Sequence, residues 1–101
     1  MVVISGRAKL LESEFEGAVH AASVMAATSR DEPGCIDYRF AVDIEDGLVV
    51  QLLEQWEPSE ALDVHFATAL FAAFSEALLR AVDGAAEFTR FGVSSAGPLF
   101  G

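Results

Sequence analysis

The chain has 101 residues, 52% hydrophobic and 22% charged, a size that fits one small domain and a composition that excludes disorder. Sixteen acidic side chains against six basic ones leave a formal net charge of −10, which repels phosphate backbones and anionic membranes, so neither nucleic acid nor a membrane is an expected partner. Cys35 is the one cysteine and allows no internal disulfide; no apolar run approaches the ~20 residues of a bilayer span, and no signal-type core follows Met1, so the chain reads as cytoplasmic.

Val2 to Lys9 alternates, with Val2, Ile4, Gly6 and Ala8 on one face and Ser5, Arg7 and Lys9 on the other; this predicts a strand with one dry face. Ser13 and Glu16 have the spacing of a capping box and predict a helix start. Phe15, Ala18, Val19, Ala22, Met25 and Ala26 continue at helical spacing, with Glu16, His20 and Ser23 opposite, and Pro33-Gly34 ends the element. Cys35 to Asp43 reads as a second strand, with Ile36, Tyr38, Phe40 and Val42 on one side and Asp37, Arg39 and Ala41 on the other.

Asp46-Gly47 predicts a hairpin turn, with glycine taking the positive φ that tight turns require. In the third strand, Leu48 to Trp56, Leu48, Val50 and Leu52 point one way and Val49 and Leu53 the other, so both faces read as dry. Arg39 and Glu54 would be polar groups on the sheet, able to pair across the hairpin. Pro58-Ser59 opens a short helix through Ala61, Leu62 and His65, and Thr68 caps a longer one with a stripe of Leu70, Phe71, Phe74, Leu78 and Val82. Asp83-Gly84 closes it, and Glu87 to Val93 forms a fourth strand carrying Phe88, Phe91 and Val93. Residues 1–93 make the domain and 94–101 an irregular tail.

The order β-α-β-β-α-β, with the second helix split, predicts an α+β, ferredoxin-like antiparallel sheet with its helices on one side. Helices on one side dry only one face. The apolar far side of the third strand therefore predicts a homodimer packed sheet on sheet.

For chemistry, His65 stands out: an imidazole exchanges a proton near neutral pH, and it lies at the join of the two helical pieces beside Phe66. A histidine held by a helix-end carbonyl is the alternative. Trp56 and Tyr38 could hold a flat aromatic ligand, or simply fill the core. Cys35 has no basic neighbour and reads as a packing residue, and His20 as surface. No His, Asp or Glu cluster has metal-ligand spacing, and glycine-rich phosphate loops and dinucleotide fingerprints are absent.

Glu32-Pro33-Gly34-Cys35 with Tyr38, then Leu53-Glu54-Gln55-Trp56, then Ala61-Leu62 leading to His65 and Phe71, resembles the antibiotic biosynthesis monooxygenase (ABM) domain family over nearly the whole chain. The resemblance implies a dimeric α+β barrel and, in several members, oxygenation of electron-rich aromatics such as quinols or anthrones with no cofactor. It implies His65 as the base, with Trp56, Tyr38, Phe66 and Phe71 around the substrate. The chain departs from the pattern in three respects. Leu70 stands where many members carry a second histidine, and Leu52 where the polyketide oxygenases carry asparagine. Ser5-Gly6 and Ser75 replace the asparagine and histidine of the haem-degrading branch, which disfavours that reaction. A dimeric module that only binds an apolar metabolite and an isomerase that needs no O2 are the alternatives.

Overall fold

The structure, a computed structural model, describes Met1 to Gly101. In chain order it contains β1 (Val2–Leu10), a 3-10 turn (Glu12–Glu14), α1 (Phe15–Arg30), β2 (Cys35–Val42), β3 (Val49–Trp56), α2 (Glu60–Phe66), α3 (Ala69–Ala81) and β4 (Val82–Gly92). The sheet runs β2-β3-β1-β4, every neighbouring pair antiparallel, which is the expected ferredoxin-like arrangement. Residues 94–101 carry neither helix nor strand.

Alternation decides which side chains meet the helices. Val2 and Ile4 of β1 sit beside Trp56 of β3 and Tyr38 of β2, and this row packs against Met25 and Ala26 of α1 and Leu62 of α2. A second cluster joins Ala8 and Leu10 to Ala81 at the end of α3. Burying a large apolar side chain of this kind contributes about 1.5–3 kcal/mol, so the inward row holds the layers together.

Several local expectations are corrected. The Ser13–Glu16 capping box does not form: Ser13 lies in the 3-10 turn, and α1 starts at Phe15 behind Glu14, which makes no side-chain cap. Ile36 leaves the inward face because the β2–β3 register slips between Cys35 and Asp37; Cys35 takes its place opposite Trp56 and packs on the core. Gly47 has no positive φ, and the β2–β3 connection is a longer loop, Asp43–Leu48. Carboxylates hold it: Asp43 accepts from the Glu45 N–H and from Gln51, and Asp46 from the Leu48 N–H and Lys9.

Arg39 and Glu54 do not pair, since Arg39 lies opposite Leu53 and Glu54 opposite Tyr38, on different faces. Arg39 bonds Asp37 on its own strand at 2.8 Å instead. The fourth strand begins five residues earlier than expected, with Val82 leaving the helix directly into extended backbone. Between Ala8 and Leu10 the β1–β4 register shifts, and Gly84 takes φ 90° in the extra β4 residues, a bulge rather than a helix stop. Beyond the bulge the ladder is regular, and Phe88, opposite Gly6, and Phe91, opposite Val3, alternate onto opposite faces.

The far side of the sheet is mixed rather than dry. Val49 is buried, but Leu53 is 38% and Phe91 49% exposed, between Gln51, Gln55 and Arg7. No single helix is long and apolar enough to cross a membrane.

Candidate active site

The junction of α2 and α3 sets the site. Thr68 caps α3 as expected, its hydroxyl oxygen accepting the Phe71 N–H at 3.1 Å, while the same hydroxyl donates to the His65 carbonyl at 2.8 Å. One side chain thus joins the end of one helix to the start of the next, and the two axes bend by 69°. The bend lifts α3 from the sheet. Leu70, Phe71, Phe74 and Leu78 form the expected stripe but are only half-buried; Leu70 packs on the core, and a cavity lies beneath Phe71, Phe74 and Leu78.

That cavity measures about 380 Å³. Its floor is Ile4, Leu52 and Phe88; its roof is Phe66, Phe71 and Phe74; its polar wall is Tyr38, Glu54, Ser75, Thr89 and Arg90. Gly6 makes the floor possible: a Cβ there would collide with the Phe88 ring and the Glu87 carbonyl across the β1–β4 ladder. A smaller hollow of about 260 Å³ between α1 and β2 contains none of the expected site residues.

Of those residues, Tyr38, Phe66 and Phe71 line the larger cavity, whereas His65 and Trp56 stand behind its wall. His65 is fully buried, its ring centroid 4.9 Å from Trp56, 5.3 Å from Phe71, 5.4 Å from Tyr38 and 5.9 Å from Phe66. Its Nδ1 lies 2.9 and 3.1 Å from the two carboxylate oxygens of Glu32, and its Nε2 has no partner. Neither the pocket base nor the helix-carbonyl reading anticipated this pair. Glu32 reaches His65 because Gly34 turns the chain with φ 86°, at a point where a Cβ would strike Ala61 of α2.

Glu54 was not recognised as a site residue from the sequence. It is 4% exposed, opens on the cavity, and accepts the Trp56 indole N–H at 2.9 Å. Burial raises its carboxyl above the ordinary range, while the Trp56 bond and the proximity of His65 draw it back down. Its neighbour Tyr38 is pushed upward by burial and then by the charges of Glu54 and Glu32. Burial and the Glu32 and Glu54 carboxylates push the Cys35 thiol up to about 11, so it is a packing residue as expected. The signal for Glu54 was available: Val50, Leu52, Glu54 and Trp56 alternate onto one face, so a carboxylate on that face must be buried. No group of three or more His, Cys, Asp or Glu side chains is placed to hold a metal ion.

The fold has many relatives of known structure. A Deinococcus radiodurans protein proposed to be an antibiotic biosynthesis monooxygenase superposes with a TM-score of 0.89 at 21% identity, covering 100% of both chains. A Bacteroides thetaiotaomicron protein of unknown function, described as a possible oxidoreductase, gives 0.82 at 26% identity over 89% of this chain and 94% of its own. The uncharacterized protein sll1783 of Synechocystis sp. is 33% identical over 75 residues, which are 74% of this chain and 51% of that protein, so the chain spans about half the length of this curated relative. Residues 1–77 match the family "Antibiotic biosynthesis monooxygenase", and the chain belongs to it.

Proposed function

We propose that the chain is a monooxygenase that oxidises a small electron-rich hydroxyaromatic with O2, using no cofactor. The observation that carries this reading is the apolar cavity of about 380 Å³ with one buried carboxyl, Glu54, on its wall. Phe66, Phe71 and Phe74 cover a flat ring, and Glu54 takes its acidic proton. A carboxyl whose affinity for protons is raised by burial is a better match to such a proton than a solvated one.

The anion gives an electron to O2, and recombination forms a C–O bond. In an anthrone-like substrate, one oxygen atom stays as the new carbonyl. The other leaves as water with the two hydrogens of that carbon, as Glu54 returns its proton. Phe71 and Phe74 shield one side of the ring from water. His65 acts as a positioning residue: it packs on Tyr38, Trp56 and Phe71 and its proximity tunes Glu54.

Oxygen uptake by metal-free protein with a panel of quinols and anthrones tests this. Glu54→Gln should lower turnover by about 10²–10⁴-fold, the usual span for loss of one general base. Unchanged turnover in that variant would remove the proposed base. The burial of His65 behind the wall favours a second reading, a module that binds an apolar metabolite without transforming it; tight ligand binding with no oxygen uptake would select it.

We further propose that the protein is a homodimer packed through the face of the sheet away from the helices. Support comes from Leu53 and Phe91, exposed on that face, and from a protomer in which only 15 of 101 residues are buried.

A further inference from the structure

Ile4 lies opposite two residues at once, Glu54 on β3 and Arg90 on β4, so all three point to the helix side. Glu54 and Arg90 are two strands apart, and adjacent strands lie about 4.8 Å from one another, which sets their backbones roughly 10 Å apart. Both line the cavity. Glu54 is at the buried end with Tyr38, and Arg90 is exposed at the other side with Thr89 and Phe88.

Arg90 has no carboxylate partner: the ion pairs of the chain are Lys9–Asp46, Arg39–Asp37 and His65–Glu32. Arg7, Arg30 and Arg80 also lack a carboxylate partner, so what sets Arg90 apart is its place: it is the one basic side chain on the wall of the larger apolar cavity. Guanidinium groups bind carboxylates through paired N–H donors. At the far end, a buried carboxyl and a phenol suit a neutral hydroxyl.

We propose that the substrate is a planar hydroxyaromatic acid, its hydroxyl toward Glu54 and Tyr38 and its carboxylate toward Arg90; this rests on the proposed use of the cavity as the substrate site. Ile4, Leu52 and Phe88 supply the floor between the two polar ends. Arg90 then sets affinity and orientation, while proton transfer stays with Glu54.

Equilibrium binding of two fluorescent probes separates the claims: naphthol, and a hydroxynaphthoate with hydroxyl and carboxylate on opposite rings. The acid should bind about tenfold more tightly than naphthol, the scale of one charge-assisted bond at a half-open site. Arg90→Gln should abolish that preference, Arg90→Lys should keep part of it, and Arg80→Gln, on the last turn of α3, should keep all of it. Equal binding of the two probes by the unaltered protein overturns the role of Arg90 and leaves the cavity reading standing. A preference lost equally in Arg80→Gln overturns it too, since the cause would then be net charge. Binding of neither probe by folded protein overturns the cavity reading itself, and this inference with it.

Discussion

Both carboxylate oxygens of Glu32 lie within 3.1 Å of the His65 Nδ1, joining the loop after α1 to the helix that roofs the site. The pair is asymmetric, with the imidazole fully buried and the Glu32 side chain 21% exposed. Removing Glu32 therefore strands a buried ring, whereas Glu32 itself keeps access to water. Glu32→Ala should cost about 1–3 kcal/mol of stability, the range for a buried polar group that loses its partner. Glu32→Gln keeps an acceptor for Nδ1 and should cost less. Urea unfolding of the two variants checks the order.

Thr68 carries two bonds at the bend, one from the Phe71 N–H and one to the His65 carbonyl. Thr68→Ala should lower stability by about 0.5–2 kcal/mol, as expected for a lost helix cap. It should also weaken naphthol binding, because Phe71 would no longer be held over the cavity. Thr68→Ser keeps the hydroxyl and should retain both properties. Thermal melts and probe titrations of the pair give the comparison.

Gly6 leaves space for Phe88. Gly6→Ala should destabilise by about 1–3 kcal/mol through overpacking and displace the ring that forms the cavity floor. Gly17, where an added Cβ meets nothing within 4 Å, supplies the control: Gly17→Ala lies in α1 and should stabilise by up to about 1 kcal/mol. Denaturation midpoints of the two variants should move in opposite directions.

The raised affinity of Glu54 for its proton has a sign that can be measured. Its folded value lies above the ordinary 4.5, so the neutral carboxyl is favoured in the folded state. That contribution is complete below the unfolded value and is lost as pH rises through the folded one. Glu54→Gln has no such dependence, and its amide oxygen still accepts the Trp56 N–H. The variant should gain stability on the unaltered protein as pH rises from about 4 to about 8, read from urea midpoints across that range. A constant difference would mean that Glu54 ionises as it does in water.

Leu53 and Phe91 give the dimer a direct test. Leu53→Arg places a charge on the face proposed to meet a second copy, while Leu79→Arg, at another exposed position, on α3, does not. Light scattering at micromolar concentration should report a dimer for the unaltered protein and for Leu79→Arg, and a monomer for Leu53→Arg. A monomer in all three sinks the proposal.

Periodicity by itself determined the order of elements, their antiparallel pairing and the split second helix. The reason is local: alternating residues such as Val2, Ile4 and Ala8 have one low-energy way to bury their apolar side, and Thr68 has one obvious acceptor role. Even the Thr68 cap, which needs only the next three residues, was legible. Failures at Ile36, Gly47 and Gly84 were of another kind, because a bulge or a long loop depends on the partner strand rather than on the segment's own pattern.

Only the tertiary structure decided which titratable groups meet the cavity. His65 is the side chain whose ordinary chemistry suits a base, yet the packing of α2 turns it behind Tyr38 and onto Glu32, which no spacing between residues 32 and 65 encodes. Glu54 and Arg90 became neighbours of one cavity through their shared register with Ile4, a relation among three strands distant in sequence. A strand's own alternation says which face a side chain takes. Which other side chains stand on that face, and whether a helix leaves room above them, is settled when the sheet assembles and the α2–α3 bend lifts the roof.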